Sequence, residues 1–210
     1  MASGDRECVT RASQCPRRDE PAHTLEDVPR SPREQAAGCL YHVTSRGNRG
    51  QTIFGTDIDH LRFLALLETI SEKADWTLHA YCLMPNHYHL VVEIGGPTLS
   101  SGLQWLNGVY AQTFNRCHRF VGHLFQGRFH SVLVETDPHL LELARYLPLN
   151  PVRARLCDEP ADWPWSSYRA TMGISLPLPF LAIDRVLGLF ALDRRRARKA
   201  FGSFVATPRS

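Results

Sequence analysis

The chain has 210 residues, 43% of them hydrophobic and 21% charged, which suits one folded domain with tails and excludes wholesale disorder. No apolar run approaches the roughly 18 residues that span a bilayer, and the opening Met1-Ala2-Ser3-Gly4-Asp5-Arg6-Glu7 lacks the apolar stretch of a secretory signal; a cytoplasmic protein with no membrane partner is expected. The formal net charge of only +3 names no partner by itself.

Residues 1–32 are rich in Arg, Asp, Glu, Ser and Pro without apolar periodicity and read as a disordered extension. From Leu40 a short strand runs to Thr44, followed by the loop Arg46-Gly47-Asn48-Arg49-Gly50. Asp57 or Asp59 can cap a helix whose Leu61, Leu64, Leu67 and Ile70 recur at helical spacing. Trp76 to Met84 and His87 to Ile94 read as two strands broken by Pro85-Asn86. A helix from Thr98 or Ser100 to about His118 comes next, then an extended segment, Ser131 to Val134. Thr136-Asp137-Pro138 opens a helix through Tyr146, and Pro148, Pro151, Pro160 and Pro164 mark an irregular stretch after it. Phe180 to Phe190 and Arg194 to Phe204 look like two closing helices. This order predicts an α+β fold: a ferredoxin-like split β-α-β, with a mostly antiparallel sheet and helices on it, plus a C-terminal helical extension over 173–210.

Charge is more informative in its distribution than in its sum. No acidic residue stands between Glu93 and Glu135, yet Arg116, Arg119, Arg128, His118, His123 and His130 do, and only Lys73 and Lys199 are lysines. A locally basic surface suits phosphate contact, and an ordinary solvated face remains the alternative. The six cysteines form no C-x-x-C pair and are expected to be free thiols.

Two segments carry candidate chemistry. In a strand, His87 and His89 point to one face and Tyr88, Leu90, Val92 and Ile94 to the other. Two imidazoles so placed can share a metal ion, or can simply be surface or core histidines. On the following helix Leu103, Leu106, Tyr110, Phe114 and Cys117 share one face. Tyr110 is therefore either core or a phenol aimed at the sheet.

Tyr41-His42-Val43-Thr44-Ser45-Arg46-Gly47-Asn48-Arg49, Leu83-Met84-Pro85-Asn86-His87-Tyr88-His89-Leu90-Val91, Phe125-Gln126-Gly127-Arg128, Leu149-Asn150-Pro151-Val152-Arg153-Ala154 and Trp165-Ser166-Ser167-Tyr168-Arg169 stand in order over residues 33–172. Together they resemble the motif set of the single-tyrosine HUH transposases of bacterial insertion sequences, in particular the REP-associated tyrosine transposase branch. The resemblance implies a transesterase that nicks and rejoins single-stranded hairpin DNA through a 5′-phosphotyrosine, working as a monomer or homodimer. It implies a divalent ion, magnesium or manganese, on His87 and His89. It assigns the nucleophile to Tyr110, within Tyr110-Ala111-Gln112-Thr113-Phe114-Asn115, and makes Asn115 the first choice for a third ligand, ahead of Gln112 or His42. Arg46, Asn48, Arg49, Arg116, Arg119, Arg128 and Arg153 become the candidates for DNA contact. A hairpin-binding protein without cleavage activity, and a hydrolase using water, are the alternatives.

Overall fold

Leu40–Arg46 (β1), Trp76–Met84 (β2), His87–Ile94 (β3) and His130–Leu133 (β4) form one antiparallel sheet in the order β2-β3-β1-β4. With Asp57–Ala74 (α1) between β1 and β2, and Leu99–His118 (α2) between β3 and β4, this is the expected ferredoxin-like arrangement. The computed structural model describes residues 36–207; the expected disordered extension, residues 1–32, lies outside the described residues. Among the described residues no helix is long and apolar enough to cross a membrane.

The strand alternation sorts side chains onto two faces. One face carries Tyr41, Val43, Leu78, Tyr81, Leu83, Tyr88, Leu90, Val92 and Ile94, and α1 and α2 cover it with Phe63, Leu67, Ile70, Leu103, Leu106, Tyr110 and Phe114. The other carries Leu40, Ala80, Cys82, Met84 and Val91, covered by Leu140, Leu143 and Leu147 of Asp137–Arg153 (α3). A bulge between Leu78 and Ala80 shifts the alternation of β2 by one residue, so that even positions cross from the first face to the second.

Local chemistry fixes the elements. The Asp59 carboxylate accepts the Thr56 and Gly55 N–H groups at 2.9 and 3.1 Å and closes the first turn of α1. In α2, Gly102 lies against the Trp76 indole so closely that a Cβ there would sit 2.3 Å from Cζ2. Thr136 caps α3, and Pro138 occupies its first turn, where no N–H partner is lost. The helix does not stop at Pro148 as the sequence suggests. It continues through Pro148 and Pro151 to Arg153, because both prolines are buried against neighbouring elements and the Ala154 N–H still bonds the Asn150 carbonyl at 2.9 Å.

The segment after α3 seals the outer edge of β2. Leu83 N–H donates to Trp165 O at 2.8 Å, Ser167 N–H to Tyr81 O at 3.0 Å and Ala182 N–H to Leu78 O at 2.8 Å. The Trp165-Ser166-Ser167-Tyr168 motif thus satisfies strand-edge groups that would otherwise stand open. Tyr168–Met172 (α4), Asp184–Gly188 (α5) and Arg194–Ala206 (α6) follow. Val186, Leu187, Ala197, Phe201 and Val205 join the same core as the sheet.

Candidate active site

The β1–β3 register sets Thr44 opposite His89 and Arg46 opposite His87. His42, Thr44 and Arg46 alternate on β1 as His87 and His89 do on β3, so all five project from the α3 face. The His87 and His89 rings stand edge to face, their centroids 4.9 Å apart.

Each histidine is held through Nδ1. Asn86 Nδ2 donates to Gly50 O at 3.2 Å, which turns Asn86 Oδ1 toward His87 Nδ1 at 2.7 Å. An oxygen there accepts, so Nδ1 of His87 carries the proton and Nε2 keeps its lone pair. His89 is 5% exposed; its Nδ1 lies 3.0 Å from His42 Nε2 and 3.1 Å from Thr44 Oγ1, and its Nε2 is buried with no partner. Burial, then the neighbouring His42 and His87, lowers the pKa of His89 to about 3. Burial, then His139 and His130, lowers that of His42 to about 4. Burial and then Arg46 lower His87 as well. At neutral pH the imidazoles are therefore uncharged, the form that binds metal.

Tyr110 does not meet them, which corrects the assignment of this residue as nucleophile. It is 1% exposed and lies on the opposite face of the sheet, among Phe54, Phe63, Phe114 and Phe125. Its hydroxyl donates to the Ile53 carbonyl, and burial pushes its pKa far above the ordinary phenol range. The core keeps it because α2 packs on the face that carries Tyr88, not on the face that carries the histidines.

The tyrosine on the histidine face is Tyr146 of α3. It is 37% exposed, its ring centroid lies 5.5 Å from that of His89, and the Arg153 guanidinium lies 5.6 Å from the ring centroid on the same helix. Asn150 stands one helical turn after Tyr146, on the same face of α3. Asn115 is likewise corrected as a metal ligand: at the end of α2 its Nδ2 donates to Gly122 O at 2.9 Å and fastens the following loop.

Among the described residues no group of three or more His, Cys, Asp or Glu is arranged to hold a metal ion. The buried polar atoms without partners include His89 Nε2 and Asn150 Nδ2. Turning the Asn150 amide over exchanges that orphaned donor for its carbonyl oxygen. Two free imidazole nitrogens and an amide oxygen fit a divalent ion, and imidazole favours manganese over magnesium.

The DNA-contact candidates divide in two. Arg46 and Arg153 flank the histidine face, Arg46 exposed opposite His87 and Arg153 beside Tyr146. Asn48 and Arg49 lie in the turn after β1, with Arg49 at φ 53°. Arg116, Arg119 and Arg128 are exposed at the end of α2 and in the loop before β4. That loop is tied to the end of β1, since Asn48 N–H donates to Leu124 O and Gln126 N–H to Arg46 O, both at 2.8 Å.

The fold and the paired histidines define the class: an α+β protein with two neutral imidazoles on the α3-covered face of a split β-α-β sheet. Residues 35–148 match the family model described as "Transposase IS200 like", and the chain belongs to that family, whose role is transposase-type DNA processing. The solved structure of a REP-associated tyrosine transposase bound to a REP hairpin is 19% identical, covers 72% of this chain and 89% of its own, and has a TM-score of 0.58. It shares the fold. A transposase structure from Deinococcus radiodurans (17% identity, 56% of this chain, 92% of its own) and the tRNA(His) guanylyltransferase of Saccharomyces cerevisiae (10%, 80% and 79%) have TM-scores of 0.38 and 0.42. No curated protein matches the chain.

Proposed function

We propose that this protein is a metal-dependent, single-tyrosine DNA transesterase of the REP-associated branch, with Tyr146 in place of Tyr110 as its nucleophile. The observation that carries the reading is the position of Tyr146: an accessible phenol beside His89 and one turn from Asn150. A buried phenol already donating to a backbone carbonyl cannot reach a phosphodiester, and Tyr110 is such a phenol.

His87, His89 and Asn150 would hold the divalent ion, manganese or magnesium. When bound, that ion supplies charge neutralisation at the scissile phosphate. Tyr146 Oη attacks phosphorus and gives up its proton; the bond from phosphorus to the 3′ oxygen breaks, and that oxygen leaves as a 3′-hydroxyl after taking a proton. The product is a 5′-phosphotyrosine that retains the bond energy, so a second 3′-hydroxyl can reverse the step and rejoin strands without ATP. Arg153, over the Tyr146 ring, sits where it can pair with the phosphate as the phenol closes on it. Arg46, Asn48 and Arg49 lie at the histidine end of β1, where single-stranded DNA at the foot of a hairpin would enter, and Arg116, Arg119 and Arg128 extend a basic track along the adjoining loop.

The test is incubation with end-labelled hairpin DNA and Mn2+, followed by a denaturing gel. A label retained on the protein, lost with Tyr146→Phe by at least about a thousand-fold and kept with Tyr110→Phe, is the expected result. Loss with Tyr110→Phe and not with Tyr146→Phe would reverse the assignment. Free cleaved DNA without an adduct would favour hydrolysis by water.

A further inference from the structure

The two candidate ligands His87 and His89 differ in how their protons are placed. For His87 the matter is closed by Asn86, whose amide is itself oriented by Gly50. For His89 the partners are an imidazole and a hydroxyl, each able to donate or accept.

The geometry shows which way the bond runs. The His42 and His89 rings lie within 19° of one plane, with centroids 5.2 Å apart. With 3.0 Å between His42 Nε2 and His89 Nδ1, the N···N line runs along the line of ring centres, as in an in-plane N–H···N bond. One ring donates and the other accepts. If His42 donated, His89 would carry its proton on Nε2, a buried donor with no acceptor. If His89 donates from Nδ1, that bond is made, Thr44 Oγ1 at 3.1 Å can share the same proton, and Nε2 presents a bare lone pair. The displaced His42 proton then sits on its own Nδ1, which is not among the buried polar atoms lacking a partner.

We infer that His42 and Thr44 are positioning residues that lock His89 in the Nδ1–H tautomer, so that its Nε2 is free to take a metal ion. The inference rests on the metal reading of His87 and His89 above, and it excludes His42 from the ligand set. His42 Nε2 faces the nitrogen of His89 opposite the one that would coordinate. His42 and Thr44 thereby do for His89 what Asn86 does for His87: accept its Nδ1 proton and fix its ring, the outer-shell arrangement that raises the basicity of a ligating imidazole.

The experiment is the imidazole 15N spectrum of the metal-free protein, with the His89 signal assigned by its loss in His89→Gln, and in parallel a Mn2+ titration followed by EPR. Wild type should show His89 as Nδ1–H. His42→Phe combined with Thr44→Val should move His89 toward Nε2–H and weaken Mn2+ binding about 10- to 100-fold. His42→Gln, whose amide oxygen can still accept, should keep the wild-type tautomer and most of the affinity, which a merely structural role would not require. The single change Thr44→Val should give a smaller shift in the same direction. An Nε2–H tautomer in wild type, or an unchanged tautomer and affinity in the double variant, would overturn the inference. So would a third imidazole coupled to Mn2+ in wild type that disappears in His42→Gln, since His42 would then be a ligand. Absence of Mn2+ binding with His89 still Nδ1–H would overturn the metal reading alone and leave the tautomer assignment standing.

Discussion

The two faces of the sheet both carry tyrosines and buried histidines, and they treat the tyrosines oppositely. On the α1–α2 face the phenols of Tyr88 and Tyr110 are buried, and each donates a hydrogen bond, Tyr88 to Asn107 Oδ1 at 2.8 Å and Tyr110 to Ile53 O. On the α3 face His89 Nε2 and Asn150 Nδ2 are buried without partners, and Tyr146 stays open to solvent. The α1–α2 side also holds buried atoms without partners, His60 Nε2 and Ser71 Oγ of α1, so the contrast lies in the phenols: both core tyrosines are hydrogen-bonded and buried, and Tyr146 is accessible. On the α3 face the unpartnered His89 Nε2 and Asn150 Nδ2 stand with that accessible phenol, and this juxtaposition is what the proposed function rests on. The contrast also explains why a tyrosine in the middle of an apolar helix face misleads: Tyr110 has the burial of a core residue and the hydrogen bond of one.

The comparison can be broken most severely through the asparagines. Asn150→Ala should weaken Mn2+ binding roughly 10- to 100-fold, whereas Asn115→Ala, which only loosens the loop at Gly122, should leave it unchanged. Equal effects in a Mn2+ EPR titration would erase the distinction between the faces. Tyr110→Phe should cost about 1–2 kcal/mol in urea unfolding, because the Ile53 carbonyl loses its buried donor. Tyr146→Phe should cost little, its ring being partly exposed. A destabilising Tyr146→Phe with a neutral Tyr110→Phe would exchange the roles of the two faces.

The smallest effect concerns pH. His89 and His42 have folded-state pKa values lowered to about 3 and about 4 from 6.5. Between those values and 6.5 the unfolded chain binds protons that the folded chain does not, so stability rises with pH across this window. The contribution is complete above 6.5 and is lost as pH falls toward the folded-state values. The metal-free protein should therefore unfold at lower urea near pH 5 than near neutrality, with His89 the larger contributor because the more exposed His42 is better screened. His42→Phe with His89→Phe should flatten that slope; an unchanged slope would mean that other groups carry it.

Much of the fold was legible in advance. The alternation of Tyr88, Leu90, Val92 and Ile94 against His87 and His89 announces two faces, and the element order announces the split β-α-β sheet. Tyr146 and Asn150 were missed because Pro148 reads as a helix stop. Once the helix is ended at Tyr146, the one-turn relation between these two residues vanishes. The Leu149-Asn150-Pro151-Val152-Arg153 motif was the available signal, since its asparagine lies four positions after a tyrosine. Likewise the pairing of Thr44 with His89 depends on strand register, which the sequence of one strand does not contain.

Periodicity is a property of neighbours along the chain, so the sequence by itself determined the strands, the helices α1 and α2, the shared face of His87 and His89, and the apolar stripe that holds Tyr110. Which helix covers which face is decided by packing between residues far apart in the chain. Only the tertiary structure put α2 over Tyr88, α3 over His89, and an accessible Tyr146 beside a histidine whose free nitrogen has no partner.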